Sequence, residues 1–149
     1  MLDLLQPLQR LRDRAALLKD VDLAINARQS YDDIKRFPCA YLLPGDLTAG
    51  APKQATQMHL QQITEQFDVL IFVSATGVNV SSSKRAEQMT DPVRAITDEV
   101  ESALIGWTWS PYVMPLRLVR GSLVELTPQR MVLSRTFATD FEFRKTTTD

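Results

Sequence analysis

The stretch from Val93 to Trp109, VRAITDEVESALIGWTW, constrains the fold more than any other part of the chain. Met89, Val93, Ile96, Val100, Ala103 and Trp107 recur at spacings of four and three. That is the period of one helix face, and Asp91, Asp98, Glu99 and Glu101 occupy the other side. Gly106 supplies the positive φ that stops a helix. Pro92 conflicts with one continuous helix from Ser83, so a short leading helix followed by the main one is expected. Two mostly alternating patterns then run almost to the last residue, Leu116 to Leu126 and Met131 to Phe143. Thr127-Pro128-Gln129-Arg130 joins them, with proline where a type I turn accepts it. Gly121 inside the first of these strands marks a bulge or a close backbone approach.

The N-terminal half is more fragmented. Leu4, Leu8, Leu11, Ala15 and Leu18 form a second apolar helix face. Pro7 is tolerable only in a first turn, so this helix is expected from Asp3, as N-cap, to near Lys19. Val21 to Ile25 reads as a short strand, Ser30 to Lys35 as a helical turn, and Cys39 to Leu43 as a buried strand of about five residues. Pro44 to Gln57, PGDLTAGAPKQATQ, reads as a long loop. A long strand follows from about His59 to Ala75, with Ile63, Phe67, Val69, Ile71 and Val73 on one face. Leu70 and Phe72 break its alternation, so that end should be covered on both faces. Thr76 to Ser83 reads as a polar loop, and residues 145–149 as a disordered tail.

Two amphipathic helices and at least four strands make an α+β two-layer sandwich, with the helices on one face of a mixed or antiparallel sheet. The 149 residues are expected to form one domain. Hydrophobic content of 44% and charged content of 23% are ordinary for a globular chain. A net charge of −1 disfavours a free-standing, sequence-specific nucleic-acid binder, which is usually basic. MLDLLQPLQRLRDRAALL carries Asp3, Arg10, Arg12 and Arg14, so it reads as neither a secretory signal nor a membrane span, and no membrane association is expected.

The acid–base inventory is thin. Cys39 is the single cysteine, which leaves no intrachain disulfide and no cysteine-based zinc site; it reads as a buried structural thiol. His59, the one histidine, reads as a surface residue rather than a ligand. No phosphate-cradling glycine pattern is present, and no metal or cofactor is expected. Asp98, Glu99 and Glu101 read first as a solvated helix face. Alternatively, Asp98 and Glu101 meet Arg117, Arg120, Arg130 or Arg135 of a neighbouring subunit. Trp107 completes the apolar stripe, whereas Trp109 steps to the opposite side and is the better candidate for an exposed anchor at a partner surface.

Taken in order, MLDLLQPLQRL, FPCAYLLPGD, the Pro/Gly/Ala loop, TEQFDVLIFV, VRAITDEVESALIGW and LRLVRGSLVELTPQRMVLSRTFATDFEFRK resemble the phage tail terminators, minor tail proteins of long-tailed phages. The similarity covers nearly the whole chain and rests on the order and length of segments rather than on one motif. It implies a structural virion protein, not an enzyme, that forms a ring, usually hexameric, on the end of the tail tube. Such a ring stops tube polymerisation and presents a head-attachment surface. Its implied partners are copies of itself, the tail tube protein and a head–tail connector protein, with assembly in the host cytoplasm. On that reading the loops around Ala49, Gly50 and Lys53 and over Thr76 to Ser83 are candidates for tube or lumen contacts, and deletion of Ala49 to Lys53 should spare the fold. The alternatives are another head–tail joining or tail-completion protein, a small α+β enzyme using the helix carboxylates, and a monomeric binding module.

Overall fold

In the structure, a computed structural model, residues 2–26, 36–55, 57–75 and 82–146 are described, with the backbone alone for 26, 55 and 82–89. The elements are α1 (Leu5–Arg14), β1 (Asp20–Leu23), a short 3-10 turn (Ala24–Asn26), β2 (Cys39–Ala49), β3 (Lys53–Ala55), β4 (Met58–Ser74), α2 (Ser82–Leu104), β5 (Arg117–Leu126) and β6 (Arg130–Thr146). The six strands form one sheet in the order β1-β2-β4-β6-β5, with β3 also pairing to β4. β1 runs parallel to β2 and the other pairings are antiparallel, so the sheet is mixed. Both helices lie against one face, giving the α+β sandwich that the hydrophobic periods predict.

β4 carries the core. Phe67, Val69 and Ile71 are fully buried and Val73 nearly so, as the alternation predicts. Opposite them β6 contributes Leu133 and Phe137, and Phe137 stacks on Phe67 at 5.6 Å between ring centroids. Leu8 and Leu11 of α1 and Ile96, Val100, Ala103 and Leu104 of α2 cover this face. Each of the larger of these side chains stabilises the fold by roughly 1.5–3 kcal/mol through burial. On the back of the sheet Cys39, Phe72 and Val132 make a small second cluster with Phe37, Tyr41 and Leu70. Arg130 lies over the Phe72 ring at 5.5 Å, so this end is apolar on both faces, as the broken alternation implies.

Several boundaries differ from the sequence reading. α1 ends at Arg14 rather than near Lys19. The Ala15 N–H still reaches Leu11 O at 2.8 Å, and Leu18 enters the core from the turn that follows. Asp3 caps from one residue further out than expected: Leu4 is the N-cap, while the Asp3 carboxylate accepts the Leu5 N–H at 3.1 Å. α2 is one unbroken helix through Pro92, not a short helix plus a main one. Pro92 sits on the exposed side, where water can satisfy the carbonyl that loses its N–H partner. The expected turn at residues 30–35 and most of the expected 76–83 loop lie outside the described residues, and Ser82 and Ser83 already belong to α2.

The largest correction concerns Pro44 to Gln57, which is not a loop. β2 continues through Pro44 to Ala49, making a strand of 11 residues, and β3 resumes the pairing on the same side of β4. Pro44 and Gly45 punctuate a register shift between Pro44 and Leu47, not the end of a strand. β6 likewise extends to Thr146, so Lys145 and Thr146 pair with His59 and Met58, while residues 147–149 of the expected tail lie outside the described residues. Distal β2, β3, the start of β4 and the end of β6 therefore form a β-arm whose residues are mostly exposed or half-buried, beyond the cover of the helices.

The bulge favours glycine. A Cβ on Gly45 would sit 3.0 Å from Gln66 O, a backbone atom held in the β4 ladder. Gly45→Ala should lower stability by about 1–3 kcal/mol, read as a lower melting temperature. Gly50→Ala, with 3.3 Å to Gln62 O, should cost less. Equal melting temperatures for the two variants would contradict this role of the bulge.

Candidate assembly interface

The Gly-Trp segment after α2 fixes where β5 begins. Gly106 has φ +80. Its N–H donates to Leu116 O at 2.7 Å, and the Leu116 N–H returns to Trp107 O at 2.9 Å. Arg10 of α1 donates to Ala103 O at 2.9 Å and stacks 5.4 Å from the Trp107 ring, so a cation closes the C-terminal end of α2. Nothing in the local sequence marks this partner of Arg10, 93 residues away. From Leu116 the chain enters β5, which pairs with β6 on one side and with no described strand on the other.

β5 is an edge strand with little cover. Leu118, Leu123 and Leu126 pair with Phe137, Leu133 and Met131 and so point to the helix face. The helices do not extend over them: Leu123 is 54% and Leu126 56% exposed. Val119 and Val124 fall at register shifts and are exposed too. Gly121 lies between these shifts rather than at one. The close approach there is by the Arg135 side chain, whose Nη1 is 2.7 Å from where a Cβ would stand. Exposed edge strands are usually blunted or used for pairing, and this one presents an apolar strip. The doubled apolar pairs Leu118-Val119 and Leu123-Val124 are the sequence signal that could have shown it.

The charged candidates separate into paired and open groups. Glu101 and Arg135 meet within the chain at 3.0 Å, both partly buried, where α2 crosses β6. Arg117 pairs with Asp140 at 2.6 Å and Arg130 with Glu125 at 3.1 Å. Burial acts to raise the Asp140 pKa, but hydrogen bonds from Thr64 and Arg117 together with the Arg117 charge hold it below the usual carboxylate value. Three of the four arginines proposed for a neighbouring subunit are thus engaged internally. Arg120 and Asp98 are exposed and form no ion pair among the described residues.

Ala49, Gly50 and Lys53 are exposed on the β-arm, where Ala49 pairs with Ile63, Lys53 with Leu60, and Gly50 N–H donates to Gln62 O. Deleting Ala49 to Lys53 would remove ladder residues, so the expectation of an intact fold does not carry over to this geometry. Trp109 is half-buried against the core and tilts on Trp107 at 5.4 Å, while Tyr112 nearby is 86% exposed. Beyond Pro111 the chain runs back along β6, where Val113 bridges Phe141.

Cys39 is buried and its thiol is pushed up to about 12, first by burial and then by the Asp20 charge, against a smaller lowering by Arg130. It stays protonated at neutral pH and is a poor nucleophile. His59 lies beside Phe143, ring centroids 6.4 Å apart, and half-buried rather than fully at the surface. Among the described residues no group of three His, Cys, Asp or Glu side chains could hold a metal ion, and no helix is long and apolar enough to cross a membrane.

The family model described as phage tail terminator protein matches residues 1–148. No curated protein matches the sequence significantly. With a family match that spans essentially the whole chain and an α+β fold that leaves its outer strand uncovered, the chain belongs to the phage tail terminator family, structural proteins of phage tail assembly.

Proposed function

We propose that the protein caps the phage tail tube as a ring, stops addition of tube subunits and presents the surface to which the head attaches. The observation that carries this reading is the family match over residues 1–148. The exposed β5 edge supports the ring, because a head-to-tail contact that closes covers an open edge on every copy. The partners are then copies of this chain, the tail tube protein and a head–tail connector protein, met in the host cytoplasm as one-domain subunits. Ala49, Gly50 and Lys53 on the β-arm are proposed to face the tube, and Asp98 and Arg120 to act across subunits. Glu101, Arg117, Arg130 and Arg135 serve mainly to hold the chain's own elements together. No catalytic role is proposed for any residue. Tails assembled without the protein should be overlong and headless in electron micrographs, and tails of normal length would overturn the reading.

A further inference from the structure

The segment between α2 and β5 is tied to itself and to β6. The Thr108 hydroxyl lies 2.9 Å from both Ser110 O and Val113 O. The Tyr112 N–H donates to Ser110 Oγ at 3.2 Å, and the Met114 N–H to Asp140 O at 2.9 Å. The buried Thr139 hydroxyl donates to Met114 O. This fixed segment nevertheless holds the Tyr112 side chain almost wholly in water. A large aromatic on an already ordered segment loses little further freedom when a partner covers it, which is what an anchor residue needs.

Tyr112 borders a cavity of about 210 Å³ whose other walls include Trp109 and Phe141. That is smaller than the roughly 300–1,000 Å³ of a site for a drug-sized ligand, and it suits a single side chain. Asp3 lines it from the N-terminal side, exposed, with its carboxylate fixed by the Leu5 N–H at 3.1 Å. Glu142 reaches the rim too, but it alternates away from Phe141 along β6 and meets Arg144, so Asp3 is the carboxylate that counts. No lysine or arginine lines the cavity among the described residues. Aromatic walls with a carboxylate and no cation favour a positively charged group. The adjoining Trp107 ring, which tilts on Trp109, already takes a guanidinium in this way, that of Arg10.

We propose that the cavity receives the guanidinium of one arginine from a partner protein, among the Trp109, Tyr112 and Phe141 rings and against Asp3. Arginine suits it better than lysine, because a planar guanidinium stacks on rings while it hydrogen-bonds a carboxylate. The partner is a protein other than this one. The chain has a net charge of −1, and Arg117, Arg130 and Arg135 are held by its own carboxylates. Binding there does not depend on copies closing a ring.

The probe is the peptide acetyl-Gly-Arg-Gly-amide, titrated into the full chain and followed by tryptophan fluorescence. The same peptide with citrulline in place of arginine is its neutral isostere. The arginine peptide should bind about tenfold more tightly, because charge is what the rings and Asp3 recognise. Tyr112→Ala and Asp3→Asn should each weaken its binding about threefold or more. Neither should move the melting temperature, since both side chains are exposed and asparagine can still accept the Leu5 N–H. Tyr112→Phe should bind like the wild type, because the ring and not the hydroxyl makes the contact. Equal binding of the two peptides, absence of binding included, would overturn the assignment, as would undiminished binding by Tyr112→Ala. Sedimentation separates the source of the arginine: Tyr112→Ala should self-associate like the wild type. A loss of self-association in that variant would put a second copy in the cavity and overturn the choice of partner.

Discussion

Phe137→Ala is expected to cost about 3–5 kcal/mol, a large part of the roughly 5–15 kcal/mol that holds a domain of this size together. Phe137 is fully buried at the middle of β6 and stacks on Phe67, itself fully buried on β4. The two strands form the longest ladder in the sheet, from Met58↔Thr146 to Ser74↔Arg130. Removing the ring opens a cavity lined by residues of both strands and the helices, none of which can collapse without leaving its ladder or helix. Thermal denaturation followed by circular dichroism should show a melting temperature lowered by ten degrees or more, on the order expected for a change of this size. A melting temperature within a few degrees of wild type would mean that the core is not centred on this pair.

Leu123→Asp combined with Leu126→Asp should do the reverse, leaving the fold and removing assembly. Both side chains are more than half exposed in the isolated chain, so the folded state loses little when they become polar. An interface that buries them would instead have to accommodate two unpaired carboxylates, which costs several kcal/mol. The variant should melt within about 1 kcal/mol of wild type yet fail to associate or to cap tubes. Tube capping at wild-type efficiency would show that β5 is not the contact strand. The contrast between the two variants separates the residues that make the fold from those that make the assembly.

How much of this was legible depends on whether the determining contact is local. β4 was readable because Phe67, Val69, Ile71 and Val73 recur on one face and each of them lands in the core. The stop at Gly106 was readable because a positive φ is a property of one residue. The second half of β2 was not: proline and glycine usually mark loops, and only the β4 backbone beside Gly45 reveals that here they mark a bulge. Pro92 misled for a similar reason, since its tolerance depends on facing solvent.

The internal partners of the candidate interface residues were not legible. The arginines and acidic residues were singled out for contacts across subunits, yet Glu101–Arg135 and Arg117–Asp140 close within the chain, across 34 and 23 residues. Such pairings depend on strand register and on where α2 crosses the sheet, neither of which a local pattern encodes. Trp109 was read as an exposed anchor, whereas the structure packs it half-buried against the core beside Trp107. The apolar strip on β5 was present in the sequence as the doubled pairs Leu118-Val119 and Leu123-Val124, but that pattern alone does not say whether a helix covers the face. The aromatic cavity has no sequence signature at all, because it is assembled from the N-terminus, the segment after α2 and β6.

The most direct measurement is an electron-microscopic reconstruction of tail tubes capped with the purified protein. The account predicts a closed ring of copies on one tube end, with β5 of each copy against the next and further tube growth blocked. A bare tube end, or a single copy bound without neighbours, would contradict it.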